Sequence, residues 1–447
     1  MKNILSLFRS CRVCFGADRN HGAKKIENYH NLSELTNVFV SSSREFFVST
    51  SSVIQVRKMP SLLSRVFGNL LLFSIVGGTN RYTNKLPASF SPPALQDLFI
   101  SGQSTNPWTG AGTNVCYRIP SLLRLGDSNT LLAIASERLW ELSETSFCSD
   151  EAGSNIVLRR SEDGGETWSD MELLIPTGDN LSERHSFSLF DASKSTAFVF
   201  SNPDVTKTCN CTNEYYTSKD GGRTWSDPVF VDPDESGVYG MGLGHGIQHS
   251  SGRLVAGMRH ICRNSCPADF KAKSIFSDDN GETWSSSDWL TAGTTENELC
   301  ELSDGTLYIN MRPYQGWEGQ KDVRLVAYSG DRGSTWGEVK PEPALIDFGF
   351  ADEGSVASDP KSNQVFFLHP HANDRSNLTL YYGHQDEATG EVVWEDGMTT
   401  VYEDEAEYSD MEVLDPGAAT KVGVLFERDS YDKISFGVVH TNTVRKY

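Results

Sequence analysis

The chain has 447 residues, of which 38% are apolar, and carries 39 Lys and Arg against 60 Asp and Glu, a formal net charge of -21. This composition excludes a disordered or fibrous chain and is typical of an acidic globular protein. The charge argues against nucleic acid as a partner, because affinity for phosphates depends on Lys and Arg. An anionic small ligand stays compatible with it, since a few inward-pointing arginines reverse the field locally.

The first 58 residues differ in charge from the rest of the chain. They carry nine Lys and Arg against four Asp and Glu, which leaves -26 for residues 59–447. They are rich in serine and lack a sustained apolar period. We therefore predict residues 1–58 to be a non-globular tail or an upstream extension absent from the mature protein.

Residues 59–78 have the features of a secretory signal peptide. A short basic start at Met59 precedes an apolar run from Val66 that ends in small residues at Gly78. This run is too short to span a bilayer comfortably, and a buried strand or helix and a short signal anchor are the alternatives. We expect translation from Met59, no membrane span, and a mature domain over residues 79–447 in the secretory pathway, either lysosomal or extracellular.

The asparagine and cysteine patterns are compatible with this route. Downstream of the predicted signal peptide, three N-x-[ST] tripeptides begin at Asn180, Asn210 and Asn377. Seven cysteines follow residue 58, so at least one thiol stays free or pairs outside the chain. Cys262 and Cys266 have few histidines nearby, which does not favour zinc, and we predict no metal and no organic cofactor.

Four octads share the pattern S-x-D-x-G-x-T-W. Each follows a β-rich run and predicts a hairpin turn, in which Asp bonds the turn backbone, Gly takes a positive φ and Trp anchors the returning strand. These Asp boxes are residues 161–168, 218–225, 277–284 and 329–336.

A second repeat consists of six short apolar strands. They start at residues 131, 196, 253, 306, 364 and 422, which are 65, 57, 53, 58 and 58 residues apart. Six such units, each with a strand followed by a hairpin, predict an all-β fold, a six-bladed β-propeller. A doubly wound fold would need long amphipathic helices between the strands, and the sequence has none.

Charged residues follow the strands of the second repeat. In a propeller one end of each strand points to the axis, so these side chains would share one mouth. Converging guanidiniums favour an anionic ligand, and a carboxylate suits their paired donors. The residues are Glu137, Arg138, Arg259, Arg312, His369, Arg375, Glu427 and Arg428.

The motif Tyr117-Arg118-Ile119-Pro120 resembles the [FY]-R-I-P motif of the sialidase (neuraminidase) family of exo-glycosidases. The resemblance runs from about residue 105 to 440 and is most similar to the animal lysosomal sialidase in residues 131–138, 149–151, 157–161 and 375–380. It implies an exo-α-sialidase that removes terminal sialic acid from glycoproteins, oligosaccharides and glycolipids with retention.

The resemblance also implies a binding site for the sialic acid carboxylate. Arg118, Arg312 and Arg375 match the three arginines that bind it, and Glu427 matches the carboxylate that orients the first of them. We predict that Arg138 contacts the substrate as well. Arg428 and Lys421 are alternatives for the third arginine.

Three further residues match the family's catalytic groups. Asp150 matches the acid/base carboxylate, Tyr408 the nucleophile, and Glu296 the glutamate that takes the phenol proton. A phenol suits this substrate, because an anionic nucleophile would be repelled by the carboxylate on the anomeric carbon; sialidases are known exceptions to the two-carboxylate rule. The alternatives at these positions are Glu151 and Asp163 for Asp150, Glu298 for Glu296, and Tyr402 for Tyr408.

Two other functions stay open at this point. Octads of this type also occur in non-catalytic propellers that bind proteins or glycans, and a trans-sialidase would share the catalytic residues. The sequence ends without the tyrosine-based tail that sorts the lysosomal relative, so lysosome and secretion are both open. It does not indicate an accessory protein or an oligomeric state.

Overall fold

The computed structural model describes residues 38–40, 46–48, 92–105, 112–140, 148, 153–177, 183–204, 213–231, 239–260, 270–314, 317–319, 322–347 and 352–441. The chain divides into two compact units, Met1–Thr83 and Asn84–Tyr447. In the first unit, two short strands pair antiparallel, β1 (Val38–Val40) and β2 (Phe46–Val48). The predicted signal peptide and the tripeptides at Asn180 and Asn210 lie outside the described residues.

The described elements of the second unit are all β-strands, which confirms the all-β prediction. One sheet has the order β4-β5-β6-β7-β8, formed by Gly102–Thr105, Gly112–Arg124, Leu131–Trp140, Gly153–Ser161 and Glu172–Ile175. The next sheet consists of β9 (Glu183–Asp191), β10 (Thr196–Asp204), β11 (Asn213–Ser218) and β12 (Val229–Val231), paired in chain order. Among the described residues, no helix has the length and apolar character needed to cross a membrane.

Two further sheets follow along the chain. The strands of one are β13 (Tyr239–Met241), β14 (Ile247–Gln248), β15 (Leu254–His260), β16 (Ala272–Ser277) and β17 (Ser285–Ser286), with β13 and β14 both paired to β15. The strands of the other are β18 (Thr294–Glu301), β19 (Leu307–Pro313), β20 (Val323–Ser329) and β21 (Lys340–Ile346), paired in chain order.

The last sheet has seven strands because one long strand serves two groups. Its order is β22 (Ser355–Asp359), β23 (Gln364–Pro370), β24 (Ser376–Gln385), β25 (Val392–Val413), β26 (Lys421–Arg428), β27 (Lys433–His440) and β3 (Gln96–Ile100). The first part of β25, up to Glu405, pairs with β24, and the part from Ala406 pairs with β26. The first strand of the unit, β3, therefore completes the sheet that contains its last strand.

The six apolar strands predicted from the second repeat are all present. They are β6, β10, β15, β19, β23 and β26, and each pairs with strands on both sides. Strands buried on both faces are apolar without strict alternation, which is why these runs were visible in the sequence.

Six buried hydrophobic clusters fill the spaces between successive strand groups. Burial of each large apolar side chain contributes about 1.5–3 kcal/mol. Each cluster contains residues of two neighbouring groups, for example Leu132 with Val199, Phe200 with Leu254, Val255 with Leu307, Tyr308 with Phe367, Phe366 with Phe426, and Leu425 with Leu131. The last of these clusters joins β26 and β27 to β5 and β6.

The octads form tight turns held by their own side chains. In the first, the Ser161 hydroxyl accepts a hydrogen bond from the amide of Gly165 at 2.8 Å, and Asp163 accepts bonds from the amide and hydroxyl of Thr167. The other three octads repeat these contacts. The octad glycine has a φ between 82° and 93° in all four, a conformation that glycine adopts without a steric penalty.

The first octad offers a matched pair of glycines for a stability test. Both Gly164 and Gly165 have positive φ, but a Cβ on Gly165 would lie 2.3 Å from the ring of Phe436, whereas a Cβ on Gly164 would meet nothing within 4 Å. We expect Gly164→Ala to cost about 1–2 kcal/mol from backbone strain, and Gly165→Ala to cost about 1–3 kcal/mol more from overpacking. Thermal unfolding of the two variants measures the difference, and equal melting temperatures would contradict the described packing.

Candidate active site

A buried tyrosine and a buried glutamate form the centre of the site. The Tyr408 hydroxyl donates a hydrogen bond to Glu296 Oε1 at 2.7 Å. Tyr408 lies in β25, and Glu296 lies in β18 at a register shift between Thr294 and Asn297, an irregularity of the kind that re-aims a side chain. Burial, and then the charge of Glu296, raise the pKa of Tyr408 well above its ordinary value, so the phenol keeps its proton.

Two arginines hold the glutamate in its charged form. Arg312 Nη1 donates to Glu296 Oε2 at 2.6 Å and to the Tyr408 hydroxyl at 3.1 Å, and Arg259 Nη1 donates to Glu296 Oε1 at 2.8 Å. Burial raises the pKa of Glu296, but the charges of Arg312 and Arg259 lower it well below its ordinary range. The site therefore places an ionised carboxylate against a neutral phenol.

The Arg-Ile-Pro motif forms a bulge that fixes Arg118. Glu427 Oε1 accepts hydrogen bonds from Arg118 Nε at 2.9 Å and from the amide of Ile119 at 2.6 Å. Ile119 has a φ of 57°, an outlier for a β-branched residue, and the strand register shifts between Arg118 and Ser121. The Arg118 guanidinium carbon lies 5.0 Å from the centroid of the Tyr408 ring.

Arg375 lies on the turn before β24 and also has a positive φ, 57°. Its Nη1 donates to Glu407 Oε2 at 2.5 Å and to the Tyr431 hydroxyl at 3.2 Å, and its Nη2 lies 3.1 Å from Asp352 Oδ1. The ring of Tyr431 lies 4.1 Å from the Arg118 guanidinium carbon. Tyr431 thus connects two arginines that are far apart in sequence.

A disulfide packs against the ring of Tyr431. Cys116 and Cys148 are bonded, and Tyr431 packs against them. Residues 429–431 all have positive φ, with values of 55° to 67°, which is backbone strain of the kind stored at functional sites. Cys300 is a free buried thiol, and burial raises its pKa to about 12, so it is unreactive.

The predicted general acid, Asp150, lies outside the described residues, as does its alternative Glu151. The other alternative, Asp163, holds its octad turn. Arg138 is fully buried, and its Nη1 donates to the carbonyl of Cys148 at 3.1 Å, so it fixes backbone two residues before Asp150. A contact of Arg138 with substrate stays a prediction.

The alternatives for the tyrosine and for the third arginine lie in other networks. The Tyr402 hydroxyl donates to Asp429 Oδ1 at 2.5 Å. Arg428 donates to Asp97 and Asp429, and Lys421 is exposed at the start of β26. The described contacts bring Arg375 and Tyr408 to the site, whereas Tyr402 and Arg428 have other partners and no described contact places the Lys421 side chain there.

Glu298, the alternative for Glu296, belongs to a separate buried cluster. His245 Nδ1 lies 2.8 Å from Asp410 Oδ1 and 3.1 Å from Glu298 Oε1, and these carboxylates also accept the amides of Leu122 and Val356 at 2.7 and 2.6 Å. Burial lowers the pKa of His245, but Asp410 and Glu298 raise it well above its ordinary value. Burial and the charge of Asp410 raise the pKa of Glu298 to about 7.

The same cluster is the one group of described residues close enough together to hold a metal ion, with ligand atoms within 4.8 Å of one another. The carboxylate oxygens already have donors, because His245 lies between them and backbone amides donate to both groups. We therefore interpret it as a structural link between strand groups.

Three site residues were not predicted from the sequence, namely Glu407, Tyr431 and Asp352. Glu407 directly precedes the predicted nucleophile Tyr408, and this position is the one feature of the sequence that could have indicated it as a site residue. Tyr431 and Asp352 lie in loops without a motif, and nothing in the sequence distinguishes them. Arg259 was predicted at the mouth, but without a role.

Comparisons with known proteins agree with the motif resemblance. The family model described as "BNR repeat-like domain" matches residues 149–418. Sialidase-2 of Cricetulus griseus is 26% identical over 368 residues, which cover 72% of this chain and 91% of that protein. A sialidase of Micromonospora viridifaciens is 29% identical over 283 residues, which cover 56% of this chain and 39% of the bacterial protein.

A solved structure supports the same fold. The intramolecular trans-sialidase from Ruminococcus gnavus superposes with a TM-score of 0.62 at 18% identity, over 78% of this chain and 98% of that one. At this identity the likeness concerns the fold alone. Because the family model covers more than half of the chain and relatives named sialidases match it, the chain belongs to the BNR repeat-like domain family and is a sialidase-family protein.

Proposed function

We propose that the protein is an exo-α-sialidase that hydrolyses terminal sialic acid from glycoproteins, oligosaccharides and glycolipids. The observation that carries the proposal is the buried Tyr408–Glu296 pair, with Arg312 and Arg118 against Tyr408 and with Arg375 joined to Arg118 through Tyr431. A non-catalytic binding propeller has no need of a phenol hydrogen-bonded to an ionised carboxylate. The names of the relatives support the same activity.

We propose a six-bladed propeller as the scaffold. The seven-stranded sheet would count as two blades that share β25, and the other four sheets as one blade each. Six core clusters between successive strand groups, the last of which joins the last group to the first, support this count. The catalytic residues would then lie around the axis.

The three arginines would bind the substrate carboxylate. Glu427, Glu296 and Glu407 each accept a hydrogen bond from one of them and so fix their directions. Charge-assisted hydrogen bonds of this kind contribute about 1.5–3 kcal/mol each. The carboxylate would bring the anomeric carbon to the Tyr408 hydroxyl.

The proposed reaction has two steps. The Tyr408 oxygen forms a bond to the anomeric carbon while the bond to the leaving oxygen breaks, Asp150 protonates that oxygen, and Glu296 takes the phenol proton. Water then attacks the anomeric carbon as the bond between that carbon and the Tyr408 oxygen breaks, Asp150 takes a proton from the water, and the Tyr408 oxygen regains its proton from Glu296. The high pKa of Tyr408 and the low pKa of Glu296 favour a proton that moves together with bond formation rather than before it.

A secretory route, lysosomal or extracellular, is part of the proposal. The Cys116–Cys148 disulfide supports it, because disulfides persist in oxidising compartments. The glycosylation tripeptide that begins at Asn377 lies within the described residues, and Asn377 is exposed.

The carboxylate site is tested by truncating each arginine. Arg118→Ala, Arg312→Ala and Arg375→Ala should each lower kcat/KM about tenfold or more, because each removes charge-assisted bonds to a desolvated anion. Arg428→Ala is the matched control and should stay within about threefold of wild type, since its ion pairs lie outside the proposed site. A near-normal value for one of the three would remove that arginine from the site.

The division of roles between acid and nucleophile is tested with two substrates. Asp150→Ala should keep most activity on an aryl sialoside with a good leaving group and lose about 10²- to 10⁴-fold on sialyl-galactose, which needs protonation. Tyr408→Phe should be poor on both substrates, while Tyr402→Phe should resemble wild type. Equal losses on both substrates in Asp150→Ala would show that Asp150 is not the general acid.

A further inference from the structure

Asp352 is a buried carboxyl group at the site without a role in the mechanism above. Its side chain is fully buried, and the described residues give its two oxygens no hydrogen-bond donor. The nearest described cation is Arg375, whose Nη2 lies 3.1 Å from Oδ1. Arg324 fixes the backbone of Asp352 by donating to its carbonyl at 2.8 Å, and Arg324 is itself buried and paired with Asp347.

Among the described arginines and carboxyl groups at the proposed carboxylate site, positive and negative charges are equal in number before substrate binds. The described contacts pair four guanidiniums with four carboxyl groups, namely Arg118, Arg259, Arg312 and Arg375 with Glu427, Glu296, Glu407 and Asp352. A bound carboxylate would add a fifth negative charge. In a site with little water an unbalanced charge is costly, so binding is favoured when one carboxyl group holds a proton.

The contacts show which of the four carboxyl groups has the fewest donors to stabilise its ionised form. Glu296 accepts from two arginines and Tyr408, and Glu427 accepts from Arg118 and two backbone amides. Glu407 accepts a short hydrogen bond from Arg375. Among the described residues, the side chain of Asp352 has only the ion pair with Arg375.

The groups that face Asp352 agree with this assignment. Arg375 and Arg312 are the nearby cations, Glu407 and Glu427 are the nearby carboxylates, and Tyr408 faces Asp352 as a neutral phenol. Burial, the largest effect, together with Glu407 and Glu427, raises the pKa of Asp352 well above its ordinary value in spite of the two arginines.

We propose that Asp352 is a positioning residue that holds a proton when the sialic acid carboxylate is bound, so that Arg375 pairs with the ligand instead of with Asp352. The inference rests on the proposed function, because it assumes a sialic acid as the ligand. In the charged form, Asp352 competes with the ligand for Arg375. The affinity for the ligand carboxylate therefore falls as pH rises above the pKa of Asp352 in the free protein.

Calorimetry with a non-hydrolysable ligand tests the proposal. The probe is 2-deoxy-2,3-didehydro-N-acetylneuraminic acid, titrated from pH 4.5 to 8.5 in pairs of buffers with different ionisation enthalpies. In the wild-type protein, we expect the affinity to fall about tenfold per pH unit on the alkaline side, with uptake of close to one proton there. This measurement needs no variant.

Two variants locate the proton. Asp352→Asn should bind with an affinity that stays flat over the same range and without proton uptake, and its KM should lose the pH dependence that kcat keeps. Glu407→Gln, which removes the other carboxylate on Arg375, should still take up the proton. Loss of uptake in Glu407→Gln with uptake kept in Asp352→Asn would assign the proton to Glu407 and overturn the proposal.

The wild-type measurement distinguishes a failure of the Asp352 proposal from a failure of the proposed function. Binding without a pH dependence of affinity and without proton uptake would contradict the role of Asp352 and leave the proposed function standing. No binding of the probe at any pH would contradict the proposed function itself, and the inference with it.

Discussion

The hydrogen bond between Tyr408 and Glu296 is the contact on which the site depends. It joins β25 to β18 across 112 residues of sequence, and both side chains are almost fully buried. Glu296 can stay charged there only because Arg259 and Arg312 hold both of its oxygens. Removal of one partner of a buried ion pair leaves an uncompensated charge and lowers the free energy of unfolding by about 3–5 kcal/mol.

The same device, a carboxylate that accepts from a neighbouring strand group, recurs through the interior. Asp410 and Glu412 on β25 accept the amides of Leu122 and Arg124 on β5, and Glu427 on β26 accepts the amide of Ile119. Each contact fixes the register between two strand groups that share no ladder of their own. A scaffold fixed in this way holds catalytic groups in place before substrate arrives, which is the condition for electrostatic stabilisation of a transition state.

Structures that depend on a short stretch of sequence could be predicted from that stretch. The octad turns depend on residues within eight positions of one another, and the repeat strands depend on their own apolar runs. Tyr408, Glu296 and Arg118 could be assigned because motif resemblance names positions directly. Their distances, however, depend on the strand groups that carry them.

Other features depend on irregularities that the sequence does not reveal. Glu296 and Glu298 would share one face of a regular strand, because side chains alternate with period two. The register shift within β18 breaks that alternation, so the two side chains enter different clusters. Tyr431 and Asp352 owe their positions to loops whose partners come from remote parts of the chain, and a single sequence has no pattern for such contacts.

The account's central claim is that Tyr408 forms the covalent bond to the substrate. The most direct measurement is mass spectrometry of the proteolysed protein after reaction with a 3-fluoro sialosyl fluoride, which makes the intermediate form faster than it breaks down. The account predicts a fluorosialyl adduct on the peptide that contains Tyr408, at the phenol oxygen, and none in Tyr408→Phe. An adduct on Tyr402 or on a carboxylate would contradict it.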